Sequence, residues 1–244
     1  NISRSTVRHR LRESGLRARN AAHGPMLTVA HRRARLQYAH DHVNWPMRNW
    51  NNVFFSDKSR FCLYGNDRRH RVWRRTGQRY EQRFIRPVAA YGGGSVMVWA
   101  AVSRDSRTPL VIVRDSLNAR RYIDQILRPH VLHLTRNRRG FIFMQDNARP
   151  HTANITLQFF QRNNIRLLRH PAMSPDLNPI EHVWDMLGRR LRQNYPNLNN
   201  LAALENALIR VWRQIPQRMI RNCISNMRER LRAVIRSRGG NTRY

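Results

Sequence analysis

Only 14 of the 244 residues are acidic, so a carboxylate at the end of an apolar strand calls for a reason. Asp57 follows the run VFFS and Asp146 follows FIFMQ. Both runs read as short strands, and each would deliver its acid to a C-terminal strand edge, where open α/β sheets gather their sites. Taken singly, either Asp would serve equally as a turn former or a helix cap. The third acid, Glu181, lies in SPDLNPIEHVWDML. There Asn178 suits a helix N-cap, Pro179 suits the first helical position, and Ile180, Val183, Trp184, Leu187 and Leu191 form a stripe to bury. Two roles for Glu181 follow. Its spacing from Asn178 is that of a capping box, in which it would bond back to the Asn178 backbone. Alternatively, the first helical turn presents it beside the stripe, toward Asp57 and Asp146. Three converging carboxylates repel one another unless cations lie between them, and hard oxygen donors suit Mg²⁺ or Mn²⁺. Two such ions about 4 Å apart would activate an attacking water or hydroxyl and stabilise the departing oxygen in phosphodiester chemistry.

The elements that must position these acids are legible as a change of texture. Residues 2 to 14 predict a short basic helix, with Ser3 or Ser5 as its cap, Val7 and Leu11 on one face, and Gly15 at its end. Arg4, Arg8 and Arg12 line another face and are candidates for contact with DNA in a major groove. Residues 17 to 27 read as a linker, and a second basic helix is expected over about 28 to 43. Short β-rich runs follow at 53 to 56, 60 to 65, 71 to 75, 95 to 103 and 109 to 113. Next come a helix at about 119 to 135, a strand at 141 to 145, a helix near 152 to 163 and a strand at 165 to 168. Three helices are expected to close the chain, at about 179 to 194, 198 to 214 and 216 to 236. Strands, then strand and helix alternating, then helices predict an α/β fold, a mixed sheet flanked by helices.

Charge points to the partner. The formal net charge is +32, from 46 Lys plus Arg, and self-repulsion on that scale suits a polyanion, with nucleic acid foremost. Lys58 is the one lysine, and the arginine excess suits bidentate phosphate contacts, although biased codon usage would produce the same skew. Cys62 and Cys223 have no paired spacing, which argues against a zinc module or a disulfide framework. No apolar run approaches the roughly 20 residues that span a bilayer. The chain lacks an initiator Met and opens inside a basic helical pattern, so an upstream portion is expected.

The segments STVRHRLRESGL, NWNNVFFSDKSRF, YGGGSVMVWAAVS, FIFMQDNARPHTA, SPDLNPIEHVWDML and AVIRSRGGNTRY resemble, in order, the Tc-type branch of the Tc/mariner superfamily of cut-and-paste DNA transposases. The 34 residues between Asp146 and Glu181 match the interval of that branch. The resemblance implies an RNase H-like catalytic fold over 51–244, preceded by the end of a helix-turn-helix domain at 1–16 and a basic linker and helix at 17–50. It implies two Mg²⁺ or Mn²⁺ ions held by Asp57, Asp146 and Glu181. It also implies double-stranded DNA as partner, both transposon terminal inverted repeats and target, with a homodimer in a synaptic complex and action in the nucleus. Asn147 and His151 match positions beside the second Asp and would bond and orient a ligand acid, or serve merely as a turn Asn and a helix-start His. Lys58 departs from the pattern by replacing an acid that commonly follows the first Asp, which adds positive charge beside the metal site. A transposase-derived DNA-binding protein without catalysis is therefore the alternative function. The Gly92-Gly93-Gly94 run lacks the Lys-Ser/Thr of a phosphate-cradling loop and reads as a turn.

Overall fold

The computed structural model describes residues 2–15, 25–63, 94–136 and 139–244. The strand expected at 71 to 75, and most of the linker and of the glycine run, lie outside these residues. Helix α1 (Arg4–Glu13) is capped by the Ser3 hydroxyl, which accepts from the Thr6 amide at 3.1 Å, and Gly15 follows at φ +78°. None of its side chains is buried, and Arg4, Arg8 and Arg12 all lie exposed.

The sheet has five strands in the order β3-β2-β1-β4-β5: β1 (Val53–Cys62), β2 (Ser95–Val102), β3 (Val111–Val113), β4 (Ile142–Met144) and β5 (Arg166–Leu168). Strands β1, β2 and β3 pair antiparallel, whereas β4 pairs parallel to β1 and β5 parallel to β4. Strand β1 runs unbroken through Ser-Asp-Lys-Ser, where two separate strands were expected. Its partner β2 matches it residue for residue from Phe55–Val102 to Cys62–Ser95, so the ladder outweighs the low strand propensity of those polar residues.

Helices cover both faces, with two short ones, α3 (Met47–Asn51) and α6 (Arg149–Thr152), preceding β1 and following β4 in the chain. On one face lie α2 (Val29–His42), α8 (Ile180–Asn194), α9 (Leu201–Gln214), α10 (Gln217–Ser225) and α11 (Met227–Arg236), packed against Val53, Phe55, Val98, Ala100, Ile142 and Met144. The other face buries Phe54, Trp99, Ala101 and Phe143. It is covered by α7 (Asn154–Arg162) and by a continuous helix made of α4 (Ala119–Arg121), a wider π-wound segment Tyr122–Val131, and α5 (Leu132–Arg136). Pro129 sits inside the π-wound segment, where it has no N–H to give and its ring crowds the preceding turn, a strain that wider winding relieves. The last expected helix is two helices, because Asn226 (φ −83°, ψ 5°) leaves the helical path between α10 and α11.

Helix α2, expected to stand with the linker, is part of this core. Tyr38 and Ala39 are buried in it, and Arg35 is fully buried. The Arg35 guanidinium grips the Asp176 carboxylate with two 2.7 Å bonds. It also donates to the carbonyls of Gly239 and Gly240, both at 2.9 Å. Asp176 accepts further from the Thr242 hydroxyl at 2.7 Å, while Arg230 of α11 donates to the Asp176 backbone carbonyl at 2.7 Å. Gly239, at φ +79°, passes so close to α2 that a Cβ there would lie 2.2 Å from the Arg32 carbonyl oxygen. The closing segment is thus bound to α2 and to the turn before α8.

Asp176→Ala would leave a fully buried guanidinium without its counter-ion, and we expect a loss of about 3–5 kcal/mol in stability by urea unfolding. Replacing both partners together, Arg35→Met with Asp176→Leu, should recover much of it. A loss under about 1 kcal/mol in the single variant would show that the network contributes little.

Candidate active site

The parallel pairing of β1 and β4 sets the first two acids together. Phe55 pairs with Met144, so two residues further along each chain Asp57 comes level with Asp146. Side chains alternate along a strand, and Val53 and Phe55 face α8, so Asp57 shares that face. Asp57 therefore lies inside β1 and not beyond its end. The edge where the acids meet belongs to β4, past which β1 continues along β2.

Helix α8 brings Glu181 onto the same face. Its expected stripe is buried throughout: Ile180, Val183, Trp184, Leu187 and Leu191. The short 3₁₀ turn Pro175–Leu177, held by Asp176, leads into it. Asn178, buried, donates to the Ser56 carbonyl at 3.4 Å and accepts from the Ile180 amide at 3.4 Å, tying the helix start to the residue before Asp57. The capping box is not formed. Instead, the Asn178 amide donates to the Pro175 carbonyl, and the Glu181 carboxyl shares a hydrogen bond with Asp57.

Two touching carboxyl groups cannot both ionise unless something positive joins them. Burial, reinforced by the Glu181 charge, pushes the Asp57 carboxyl up to about 8. Burial raises Glu181 as well. The pair is a buried site that takes up a proton, and a divalent cation would replace that proton. Asp146 behaves differently. Burial alone would raise it, but the bonded His151 ring, the Ala148 amide at 3.1 Å and the charge of Lys58 together hold its carboxyl below the usual range. His151 is itself 3% exposed, with Nδ1 against the Asp146 carboxylate and its ring 4.2 Å from that of Tyr122. Both contacts of Asp146 use Oδ1, which leaves Oδ2 without a bond among the described residues. As the side chains stand, no three His, Cys, Asp or Glu of the described residues surround one point. Asp57 and Glu181 hold each other, and Asp146 holds His151.

Asn147 donates instead to the His170 carbonyl at 2.9 Å and is exposed. Lys58 gives its amide to Asp57 Oδ1 at 2.6 Å and adds its charge to Asp146. A groove of about 850 Å³ opens beside Asp146, with Asn147, Gln161, Asn164, Arg166 and Arg169 among its lining. Sequence reasoning passed over Arg35, Asp176, Tyr122 and Gln145. Asp176 and Gln145 lay within segments already singled out, whereas nothing local marks Arg35 or Tyr122.

A raised carboxyl stabilises the fold below its unfolded value and loses that contribution as pH climbs through its folded value. For Asp57 the window runs from the model-peptide range, 3.8, up to about 8. Glu181→Gln removes the neighbouring charge, so without metal the variant should gain on the wild type as pH rises across this window. Thermal unfolding in EDTA at about pH 5 and about pH 8.5 measures the difference. An equal gap at both would mean that the two carboxyls are not coupled.

Comparison with known proteins gives the family. A family described as DDE superfamily endonuclease matches residues 52–202, and one described as Transposase matches residues 1–44. The Tc1 transposable-element transposase of Caenorhabditis elegans is 37% identical over 99% of this chain and 88% of its own length. The Tcb1 transposase of Caenorhabditis briggsae is 36% identical over the same shares. Among solved structures, a Mos1 transposase paired-end complex with the left transposon end superposes with TM-score 0.78 at 20% identity, covering 98% of this chain and 71% of that one. The Mos1 mariner catalytic domain superposes with TM-score 0.68 at 17% identity over 91% of this chain and all of that one, and the fold is RNase H-like. The chain belongs to the DDE superfamily endonucleases, within the Tc/mariner family of transposases.

Proposed function

We propose that this transposase cuts and rejoins DNA at a centre formed by Asp57, Asp146 and Glu181, and that these acids hold two Mg²⁺ or Mn²⁺ ions. The observation that carries the reading is the placement of two hard oxygen donors beside Asp146: the β1–β4 register sets Asp57 level with it, and Asn178 ties the start of the Glu181 helix to Ser56. When bound, such ions activate an attacking oxygen and stabilise the departing one in phosphodiester exchange.

The chain's own groups divide the remaining tasks. Asp57 and Glu181 would offer carboxylate oxygens from a strand and a helix that Asn178 joins through the Ser56 carbonyl. Asp146, whose carboxyl His151, Ala148 and Lys58 hold below the usual range, contributes the third carboxylate. The DNA backbone then runs past Asp146 along the groove carrying Arg166 and Arg169, while Arg4, Arg8 and Arg12 of α1 contact duplex DNA elsewhere. Two copies pair the transposon ends, acting in the nucleus; a solved paired-end complex of Mos1 supports the pairing. The alternative, a DNA-binding descendant that no longer cleaves, draws on Lys58, whose charge reaches Asp146.

Incubation of labelled transposon-end DNA with the protein and Mg²⁺ or Mn²⁺ should give strand cleavage that EDTA abolishes. Asp57→Asn, Asp146→Asn and Glu181→Gln should each remove cleavage while DNA binding persists. A well-folded Glu181→Gln protein that cleaves normally would exclude Glu181, and a wild-type protein that binds but never cleaves would favour the alternative.

The charge of +32 predicts many phosphate contacts and release of many counterions. Affinity for duplex DNA should fall by about 10³-fold or more between about 50 and about 200 mM salt. A constant that barely moves over that range would assign the charge to another purpose.

A further inference from the structure

The Asp146 loop is held from below, by the helix on the opposite face of the sheet. Tyr122, the first residue of the π-wound segment, is fully buried, and its hydroxyl donates to Gln145 Oε1 at 2.7 Å. Gln145 Nε2 in turn donates to the backbone carbonyl of His151 at 3.1 Å. The circuit closes on Tyr122 itself, whose ring lies 4.2 Å from the His151 imidazole at an interplanar angle of 34°. His151 Nδ1 meets both the carboxylate and the backbone carbonyl of Asp146, both acceptors, so Nδ1 carries the proton. The other ring nitrogen, Nε2, is buried without a partner among the described residues. Packing against Tyr122 therefore holds the imidazole beside Asp146, while the Gln145 bond holds the His151 backbone.

We propose that Tyr122 is a positioning residue for Asp146, acting through Gln145 and His151 to hold one carboxylate oxygen and leave the other free for a metal ion. The inference rests on Asp146 being a ligand, as the proposed function has it. Outer partners that orient a ligand typically change metal affinity or activity about 10–100-fold when removed. Tyr122 opens the π-wound stretch that contains Pro129, and such stretches recur at functional sites because they displace side chains from ordinary helical positions. The role explains why a glutamine, buried to 8% exposure, ends an otherwise apolar strand run. Both of its amide atoms are used within this circuit.

Tyr122→Phe removes the hydroxyl and keeps the ring. The full chain should then need about 10-fold more Mn²⁺ for half-maximal cleavage, with a lower kcat and an unchanged KM for DNA. A second readout needs no turnover: the rise in unfolding temperature that Mn²⁺ produces in the wild-type protein should require correspondingly more metal in the variant. Gln145→Met breaks the relay at its second link without altering the aromatic packing and should give the same shift. The double variant should be no worse than either single one, because both cut one chain of contacts. Wild-type Mn²⁺ dependence in either single variant, or additive losses in the double, would overturn the proposal. Asp146→Asn separates the two levels. If it neither cleaves nor responds to Mn²⁺ while Tyr122→Phe matches the wild type, only the positioning role fails. If Asp146→Asn cleaves normally, the catalytic reading itself fails.

Discussion

A fully buried arginine fork organises this protein around its chemistry. Arg35 would be costly without a partner in the core, and Asp176 satisfies it with two short bonds. Because the remaining guanidinium protons go to the carbonyls of Gly239, Gly240 and Met173, one charge pair fastens helix α2, the turn ahead of α8 and the closing segment into one unit. Glu181 lies five residues beyond Asp176, so the geometry of the turn sets where the helix begins and which way its first carboxylate points. The same fastening gives the Gly-Gly of the closing segment its physical reason: at Gly239 the backbone approaches α2 more closely than any side chain would permit.

Against that frame the site itself is an arrangement of opposed tendencies. Strand alternation and parallel register bring Asp57 and Asp146 to one level, and the α8 stripe brings in Glu181. Each of these forces is hydrophobic or backbone in origin and indifferent to charge. The carboxylates absorb the consequence. Burial raises the Asp57 and Glu181 carboxyls, whereas the neighbours of Asp146 hold its carboxyl down. A fold that gathers charge of one sign in this way gains most from whatever cation enters, which is how structural stress becomes affinity.

The arginines divide similarly by environment. Arg35 and Arg230 are buried and internal to the frame, and Arg107 lies over the Trp212 ring at 5.6 Å while donating to the Ile215 carbonyl. Others, such as those of α1 and the groove beside Asp146, face solvent and remain available to phosphate. Net charge alone does not distinguish the two uses, because a guanidinium serves a carbonyl and a phosphate with the same donors.

The sequence by itself determined the interval between the acids, a mixed sheet flanked by helices, and helices at about 28 to 43, 179 to 194 and 198 to 214, because apolar periodicity and capping residues are local signals. It misjudged what depends on partners far along the chain. Strand β1 continues through Ser-Asp-Lys-Ser because β2 pairs with it, and α2 joins the core because Asp176, 141 residues away, neutralises Arg35. The choice at Glu181 was of the same kind. Asn178 and Glu181 have the spacing of a capping box, and local sequence leaves that option open. Tertiary structure decided against it by placing the Ser56 carbonyl beside Asn178 and the Asp57 carboxyl beside Glu181, partners that no local pattern could supply.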